Sequence, residues 1–234
     1  MKHIWKISTM IFVILFGVIF LRENYPVRIY NRLYTSAPVF SPPSRNIQKN
    51  KISEKYDCKN KIVFIGDSLI ANCEWLGRQG IVNLGMGYDT THGVLNRLDF
   101  ALNQKPKCIF IMIGINDING NASLDDIKKN YSKIIDKILR NHVPLFILST
   151  VRMNKNPHGV NFEETNKKVE MLNHYLIEQC KWLSVPYIDL NEKLSENSKL
   201  STKYSIDGLH PNGDGYIIWK KILLPYVNKI EGVR

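Results

Sequence analysis

The chain has 234 residues, of which 44% are hydrophobic and 23% are charged. These proportions are ordinary for a globular protein, and they exclude a wholly disordered chain, a collagen-like chain and a polytopic membrane protein. The net charge is +11, but residues 62–234 carry only +3 of it. Because no recognition motif accompanies this basic N-terminal region, we expect no nucleic-acid partner.

The N-terminal segment is strongly apolar. Residues 7–21 read ISTMIFVILFGVIFL, and the apolar stretch over residues 4–21 is long enough to cross a bilayer. No small residues follow it to form a cleavage site, which favours an uncleaved anchor over a signal peptide. We therefore expect residues 1–22 to be a transmembrane anchor or signal segment, with a single pass and the remainder on the exported face. If the segment is cleaved, the expectation becomes a secreted protein.

The next region, residues 23–59, is basic and contains several prolines, which predicts a tether rather than a packed domain. Its prolines are Pro26, Pro38, Pro42 and Pro43.

From residue 60 to residue 232, short apolar runs alternate with longer segments of helical periodicity. Such runs, bounded by Gly, Pro, Asn or Asp, are typical of strands buried on both faces. The five runs are Ile62–Ile65, Ile81–Leu84, Cys108–Ile113, Leu145–Leu148 and Tyr187–Leu190. This alternation predicts one α/β domain over residues 60–232, with a mainly parallel five-stranded sheet.

Three of the segments between the strands have clear helical signals. Ser123 followed by two acidic residues predicts a helix start, and an apolar stripe at helical spacing follows it. A second stripe extends from Val169 to Leu183, and a third, from Ile217 to Leu223, predicts a last helix that ends before Pro225.

Polar motifs follow three of the predicted strands, at the sheet edge where ligands of α/β proteins bind, and a fourth motif lies near the C-terminus. The motifs are Gly66-Asp67-Ser68-Leu69, Gly85-Met86-Gly87, Gly114-Ile115-Asn116-Asp117 and, near the C-terminus, Asp207-Gly208-Leu209-His210. Together they supply the groups of a serine esterase. Ser68 is the candidate nucleophile, His210 the base and Asp207 the residue that orients it. The Ser68 and Gly85 N–H groups and the Asn116 amide are the candidate oxyanion donors.

These four blocks resemble those of the SGNH hydrolases, also called the GDSL esterase family, over about residues 60–232. The resemblance implies a flavodoxin-like three-layer α/β/α domain. It implies the same roles for Ser68, Asp207, His210, Gly85 and Asn116, and it implies neither a cofactor nor a metal.

The sequence thus predicts an enzyme that hydrolyses carboxylic esters through an acyl-enzyme. The expected substrate is an O-acetylated carbohydrate or a lipid of the cell envelope. Three alternatives stay open: an acyltransferase, a lysophospholipase or thioesterase on the same fold, and a non-catalytic binding module.

Overall fold

The computed structural model describes residues 56–73, 80–155 and 161–232. Its strands are β1 (Ile62–Gly66), β2 (Ile81–Gly85), β3 (Cys108–Met112), β4 (Leu145–Leu148), β5 (Tyr187–Ile188), β6 (Ser195–Glu196) and β7 (Lys199–Leu200). Its helices are α1 (Ser68–Ala71), α2 (Thr91–Leu102), α3 (Ile115–Asn119), α4 (Leu124–Arg140), α5 (Phe162–Leu183), α6 (Asn191–Leu194) and α7 (Gly213–Glu231), with a 3₁₀ turn at Thr202–Tyr204.

The main sheet has the strand order β2-β1-β3-β4-β5, and every neighbouring pair is parallel. All residues of β1 and β3 are buried, as expected for central strands covered on both faces. This architecture confirms the predicted α/β fold with a five-stranded parallel sheet.

An aromatic row runs across one face of the sheet. Phe64, Phe110 and Phe146 occupy matching positions on β1, β3 and β4, and their rings stack at centroid distances of 4.6 and 4.5 Å. Tyr226 of α7 contacts Phe146 edge-on at 6.1 Å. Helix α7 therefore covers this face, while α2, α4 and α5 pack side by side in that order.

Two elements end at residues other than those predicted. The last helix does not stop before Pro225 but continues to Glu231, because Leu223 and Val227 are fully buried on either side of the proline. Their burial outweighs the roughly 3 kcal/mol that an interior proline costs a helix. The fifth strand stops at Ile188, because Asp189 accepts a hydrogen bond from the Asn191 N–H and turns the chain into α6.

The prediction of a single-pass membrane protein is corrected here. Among the described residues, no helix is both long enough and apolar enough to cross a bilayer. The longest helices in the described ranges, α5 and α7, have 22 and 19 residues and carry charged, exposed side chains. The predicted span, residues 4–21, lies outside the described residues, as do the segment 1–22 and nearly all of 23–59. The membrane partner and the location on an exported face are therefore withdrawn.

Candidate active site

Three adjacent strands bring the predicted motifs to one edge of the sheet. Gly66 of β1 is in register with Gly85 of β2 and with Met112 of β3. Ser68 begins α1 directly after β1, and Asn116 lies in α3 just after β3. Because parallel strands end at the same edge, the chain after each of them emerges beside the others.

The fourth motif lies on a loop, residues 205–212, that we call the His210 loop. The Tyr216 hydroxyl, just after the loop, donates a hydrogen bond of 2.8 Å to the Leu69 carbonyl of α1. On the other side, the Asn154 N–H donates to the Gly208 carbonyl at 3.0 Å. Gly208 has φ = +84° and lies so close to Lys155 that a Cβ atom would collide with it. These contacts hold the His210 loop against the turn that carries Ser68.

The side chains of Ser68, His210 and Asp207 form a continuous hydrogen-bonded row. Ser68 Oγ lies 2.9 Å from His210 Nε2, and His210 Nδ1 lies 2.6 Å from Asp207 Oδ2. An ionised carboxylate only accepts hydrogen bonds, so Nδ1 carries the ring proton and Nε2 of the neutral ring has a free lone pair. Ser68 Oγ therefore donates to Nε2, which is the arrangement that a base needs to remove the hydroxyl proton.

The charge of Asp207 is stabilised by its hydrogen-bond donors. Partial burial alone would raise its pKa, but the His210 ring and the Leu209 and His210 N–H groups all donate to it and lower the pKa to about 2. Ser205 supports the same loop, since its Oγ donates to the His210 carbonyl at 2.7 Å and accepts from the Gly208 N–H at 3.0 Å.

The predicted oxyanion donors are placed differently from one another. Asn116 Nδ2 donates one of its two hydrogens to the Asp89 carbonyl at 2.8 Å, which fixes the amide orientation and leaves the other hydrogen for a ligand. The Gly85 N–H donates to Asn83 Oδ1 at 2.8 Å. A Cβ atom on Gly85 would collide with the Ala71 backbone, so this glycine lets β2 end tightly against α1.

Behind the Ser68 turn lies a buried layer of charged residues to which the sequence analysis assigned no role. Asp67, Asp89, Asp117 and Arg97 are each no more than 6% exposed. Arg97 Nε binds Asp89 Oδ2 at 2.7 Å, and another nitrogen of its guanidinium donates to the Gly66 carbonyl at 3.1 Å. Arg97 thus pairs with Asp89 within a layer that holds three buried carboxyl groups.

The layer is held together by backbone as well as side chains. The Thr91 N–H and hydroxyl both donate to the Asp117 carboxylate, and the Leu69 N–H donates to Asp67 Oδ1. Burial, opposed by the Thr91 hydrogen bonds, raises the pKa of Asp117 to about 6. Asp67 and Asp117 belong to motifs that the sequence does show, but Arg97 lies on the buried side of α2 without a signal that could identify it. Within the described part of the chain, no group of three or more His, Cys, Asp or Glu side chains could hold a metal ion.

A sequence model of the GDSL-like Lipase/Acylhydrolase family matches residues 64–218, which is more than half of the chain. Solved structures agree at the level of the fold. A GDSL-like lipase from Bacteroides thetaiotaomicron has a TM-score of 0.70 at 20% identity, covering 80% of this chain and 97% of its own. An acetylxylan esterase from Geobacillus stearothermophilus has a TM-score of 0.58 at 16% identity, covering 74% of this chain and 96% of its own.

Curated proteins with similar sequences include the N-acylneuraminate cytidylyltransferase of Streptococcus agalactiae serotype V. It is 23% identical over 189 residues, which cover 81% of this chain and 44% of that protein. The chain therefore spans less than half the length of this relative.

Proposed function

We propose, from the premise that the chain belongs to the GDSL-like lipase/acylhydrolase family, that it is a serine esterase with Ser68 as its nucleophile. In this proposal His210 is the general base and Asp207 orients it. The observation that carries the proposal is the hydrogen-bonded row of 2.9 and 2.6 Å that joins the three side chains.

The reaction follows from this row in two halves. Ser68 Oγ attacks the ester carbonyl carbon while its proton passes to His210 Nε2, giving a tetrahedral oxyanion and an imidazolium. The imidazolium then protonates the leaving alkoxide, the ester C–O bond breaks, and an acyl-Ser68 remains. In the second half His210 Nε2 takes a proton from water as the water oxygen attacks the acyl carbon, giving a second tetrahedral oxyanion and an imidazolium. The imidazolium then returns the proton to Ser68 Oγ as the bond between the acyl carbon and Oγ breaks, which releases the acid and restores Ser68 and neutral His210. Asp207, ionised throughout, stabilises the imidazolium in both halves.

Two donors are proposed for the oxyanion. The Ser68 N–H opens α1, and the second Nδ2 hydrogen of Asn116 is held in place by the Asp89 carbonyl. The Gly85 N–H, the third predicted donor, is engaged by Asn83, so we assign it to the packing of β2 instead. Removal of one oxyanion donor typically lowers kcat by about 10²–10³-fold.

For the substrate, we propose an ester of a carbohydrate, with an O-acetyl group as the leading candidate. The acetylxylan esterase with the same fold supports an acetylated carbohydrate. The curated relatives, named for an N-acylneuraminate, support a sugar but not the ester, because an N-acyl group is an amide. Since the chain spans only 44% of those relatives, cytidylyl transfer is not carried over to it. Lipid esters, thioesters and transfer of the acyl group to a sugar hydroxyl are the rival reactions that the experiment separates.

The test compares the full chain with Ser68→Ala on p-nitrophenyl acetate, butyrate and octanoate and on acetylated xylo-oligosaccharide. We expect Ser68→Ala to lower kcat by about 10⁴-fold or more on each ester that the wild type cleaves. Ser132→Ala is the matched control, because this exposed hydroxyl bonds the Tyr175 hydroxyl on the helical surface and should leave turnover unchanged.

Four outcomes would contradict parts of the proposal. Equal turnover by Ser68→Ala would refute the mechanism, and a wild type that neither turns over nor reacts at Ser68 with a fluorophosphonate probe would indicate a binding module. Cleavage of octanoate in preference to acetate would favour a lipid substrate. Acylated sugar formed with an acceptor present would identify a transferase.

A further inference from the structure

A strained tyrosine lies beside the candidate active site. Met86–Asp89 form a β-turn, closed by a 3.2 Å hydrogen bond from the Asp89 N–H to the Met86 carbonyl. Its third residue, Tyr88, has φ = +61°, a left-handed conformation in which bulky residues are strained and glycine is not. Strain of this kind persists where the surroundings enforce it, often at functional sites.

The turn is fixed to the catalytic machinery by the residue that follows Tyr88. The Asp89 carbonyl orients the Asn116 amide, and the Asp89 carboxylate binds Arg97, which also holds the Gly66 carbonyl two residues before Ser68. These bonds place Tyr88 at the rim of the site and hold its backbone in the strained conformation.

The Tyr88 side chain remains largely accessible at this rim. It is 58% exposed, whereas tyrosine side chains are on average of intermediate burial. A Cβ atom on the preceding Gly87 would meet nothing within 4 Å, so there is open space next to the turn. An acyl chain is best accommodated in an enclosed apolar pocket, whereas an exposed aromatic side chain suits a sugar ring, which is partly polar and partly apolar.

We propose that Tyr88 is a sugar-binding platform that stacks against a pyranose ring of the ester substrate and so determines specificity for carbohydrate esters. The apolar face of the sugar, with its slightly positive C–H groups, packs on the negative face of the tyrosine ring. This inference deepens the proposed function and rests on it for the identity of the reaction. Binding can be measured without turnover, so the two can fail separately.

The binding test uses the full chain carrying Ser68→Ala, titrated with acetylated xylo-oligosaccharide by calorimetry. Adding Tyr88→Gly should weaken binding at least tenfold, while glycine accepts the left-handed φ and preserves the turn. Adding Tyr88→Phe, which keeps the ring, should change the affinity less than threefold. Trp182→Ala is the matched control. This aromatic side chain is 84% exposed and lines a groove on α4 and α5, near the C-terminal end of α5.

A kinetic test in the chain that retains Ser68 measures selectivity between substrates. Tyr88→Gly should lower kcat/KM for acetylated xylo-oligosaccharide at least fivefold more than it lowers kcat/KM for methyl acetate, which has no ring to stack. Trp182→Ala should leave both values unchanged.

The outcomes distinguish this inference from the proposed function. If Ser68→Ala binds no saccharide, or if Tyr88→Gly binds as tightly as its parent, the platform is refuted even when the wild type hydrolyses esters. If binding depends on Tyr88 but the wild type cleaves no ester, the platform stands and the esterase proposal fails.

Discussion

Two aspartates flank the candidate active site, and their surroundings shift their pKa values in opposite directions. Asp207 lies on the His210 loop with its side chain 41% exposed, and hydrogen bonds offset its partial burial and bring its pKa down to about 2. Asp67, one residue before Ser68, is 1% exposed, and burial raises its pKa to about 7, helped by the nearby charges of Asp89 and Asp117.

The difference shows how one site stabilises the charged form of one carboxyl group, Asp207, and disfavours the charged form of another, Asp67. Asp207 accepts from the His210 ring and from two N–H groups, which is enough to hold a carboxylate at neutral pH. Asp67 instead lies near the charges of two other carboxyl groups, Asp89 and Asp117, and Arg97 is paired with Asp89. We infer that the exposed carboxylate serves the imidazolium, while the buried acid supports the Ser68 turn as a hydrogen-bond acceptor.

Among the tests of this contrast, Asp207→Asn should have the largest effect. An asparagine amide can present an N–H to His210 Nδ1, which favours the ring tautomer with its proton on Nε2 and removes the base facing Ser68. We expect kcat for p-nitrophenyl acetate to fall by about 10⁴-fold, as for an orienting carboxylate in a serine protease triad.

The control for this variant is Asp214→Asn, an exposed acid in the first turn of α7 seven residues further on. It should leave kcat unchanged. A loss of less than tenfold in Asp207→Asn would mean that the carboxylate does not orient the base.

The second test concerns the pH dependence of stability around Asp67. Its folded pKa of about 7 exceeds the ordinary 3.8, so between these values the folded chain keeps a proton that the unfolded chain releases. The stabilisation is complete below about pH 4 and is lost as the pH rises to about 7. Asp67→Asn keeps an oxygen for the Leu69 N–H and removes this titration. We expect it to be more stable than the wild type above about pH 8, by on the order of 2–4 kcal/mol.

Urea unfolding at a series of pH values measures this effect. The window is separate from that of Asp207, whose lowered pKa stabilises the fold above pH 3.8 and loses this contribution as the pH falls towards 2. Asp136→Asn is the control, because Asp136 is an exposed acid paired with Arg140 on α4. The stability of this variant relative to the wild type should not change over this pH range. Parallel pH profiles for Asp67→Asn and the wild type would show that folding does not shift the pKa of Asp67.

The difference between local patterns and contacts of distant residues explains how much of the structure the sequence could predict. The five strands and the motifs after three of them are local patterns. Since parallel strands end at one edge, Ser68 and Asn116 could be placed without coordinates. The apolar stripe and the Ser123 cap likewise predict α4, and the structure has that helix at Leu124–Arg140.

What depends on distant contacts could not be predicted. The packing of Leu223 and Val227 carries α7 past Pro225, and no local signal reports it. Arg97 is paired with Asp89 only because α2 turns one buried side chain towards the sheet edge. The engagement of the Gly85 N–H by Asn83 is also invisible in the sequence, since a glycine after a strand fits an oxyanion donor and a packing position equally well.

The smallest expected effect comes from replacing Ser205, which supports the loop that carries Asp207 and His210. Ser205→Ala leaves the buried Gly208 N–H without its 3.0 Å acceptor and removes the 2.7 Å bond to the His210 carbonyl. An unsatisfied buried group costs about 1–3 kcal/mol, so we expect a stability loss in that range. Since these bonds set the position of the His210 ring, kcat should fall about tenfold while Ser132→Ala, an exposed hydroxyl on α4, changes neither quantity. A loss of stability with kcat unchanged would show that Ser205 stabilises the His210 loop but does not position the base, which the Tyr216 and Asn154 contacts would then do.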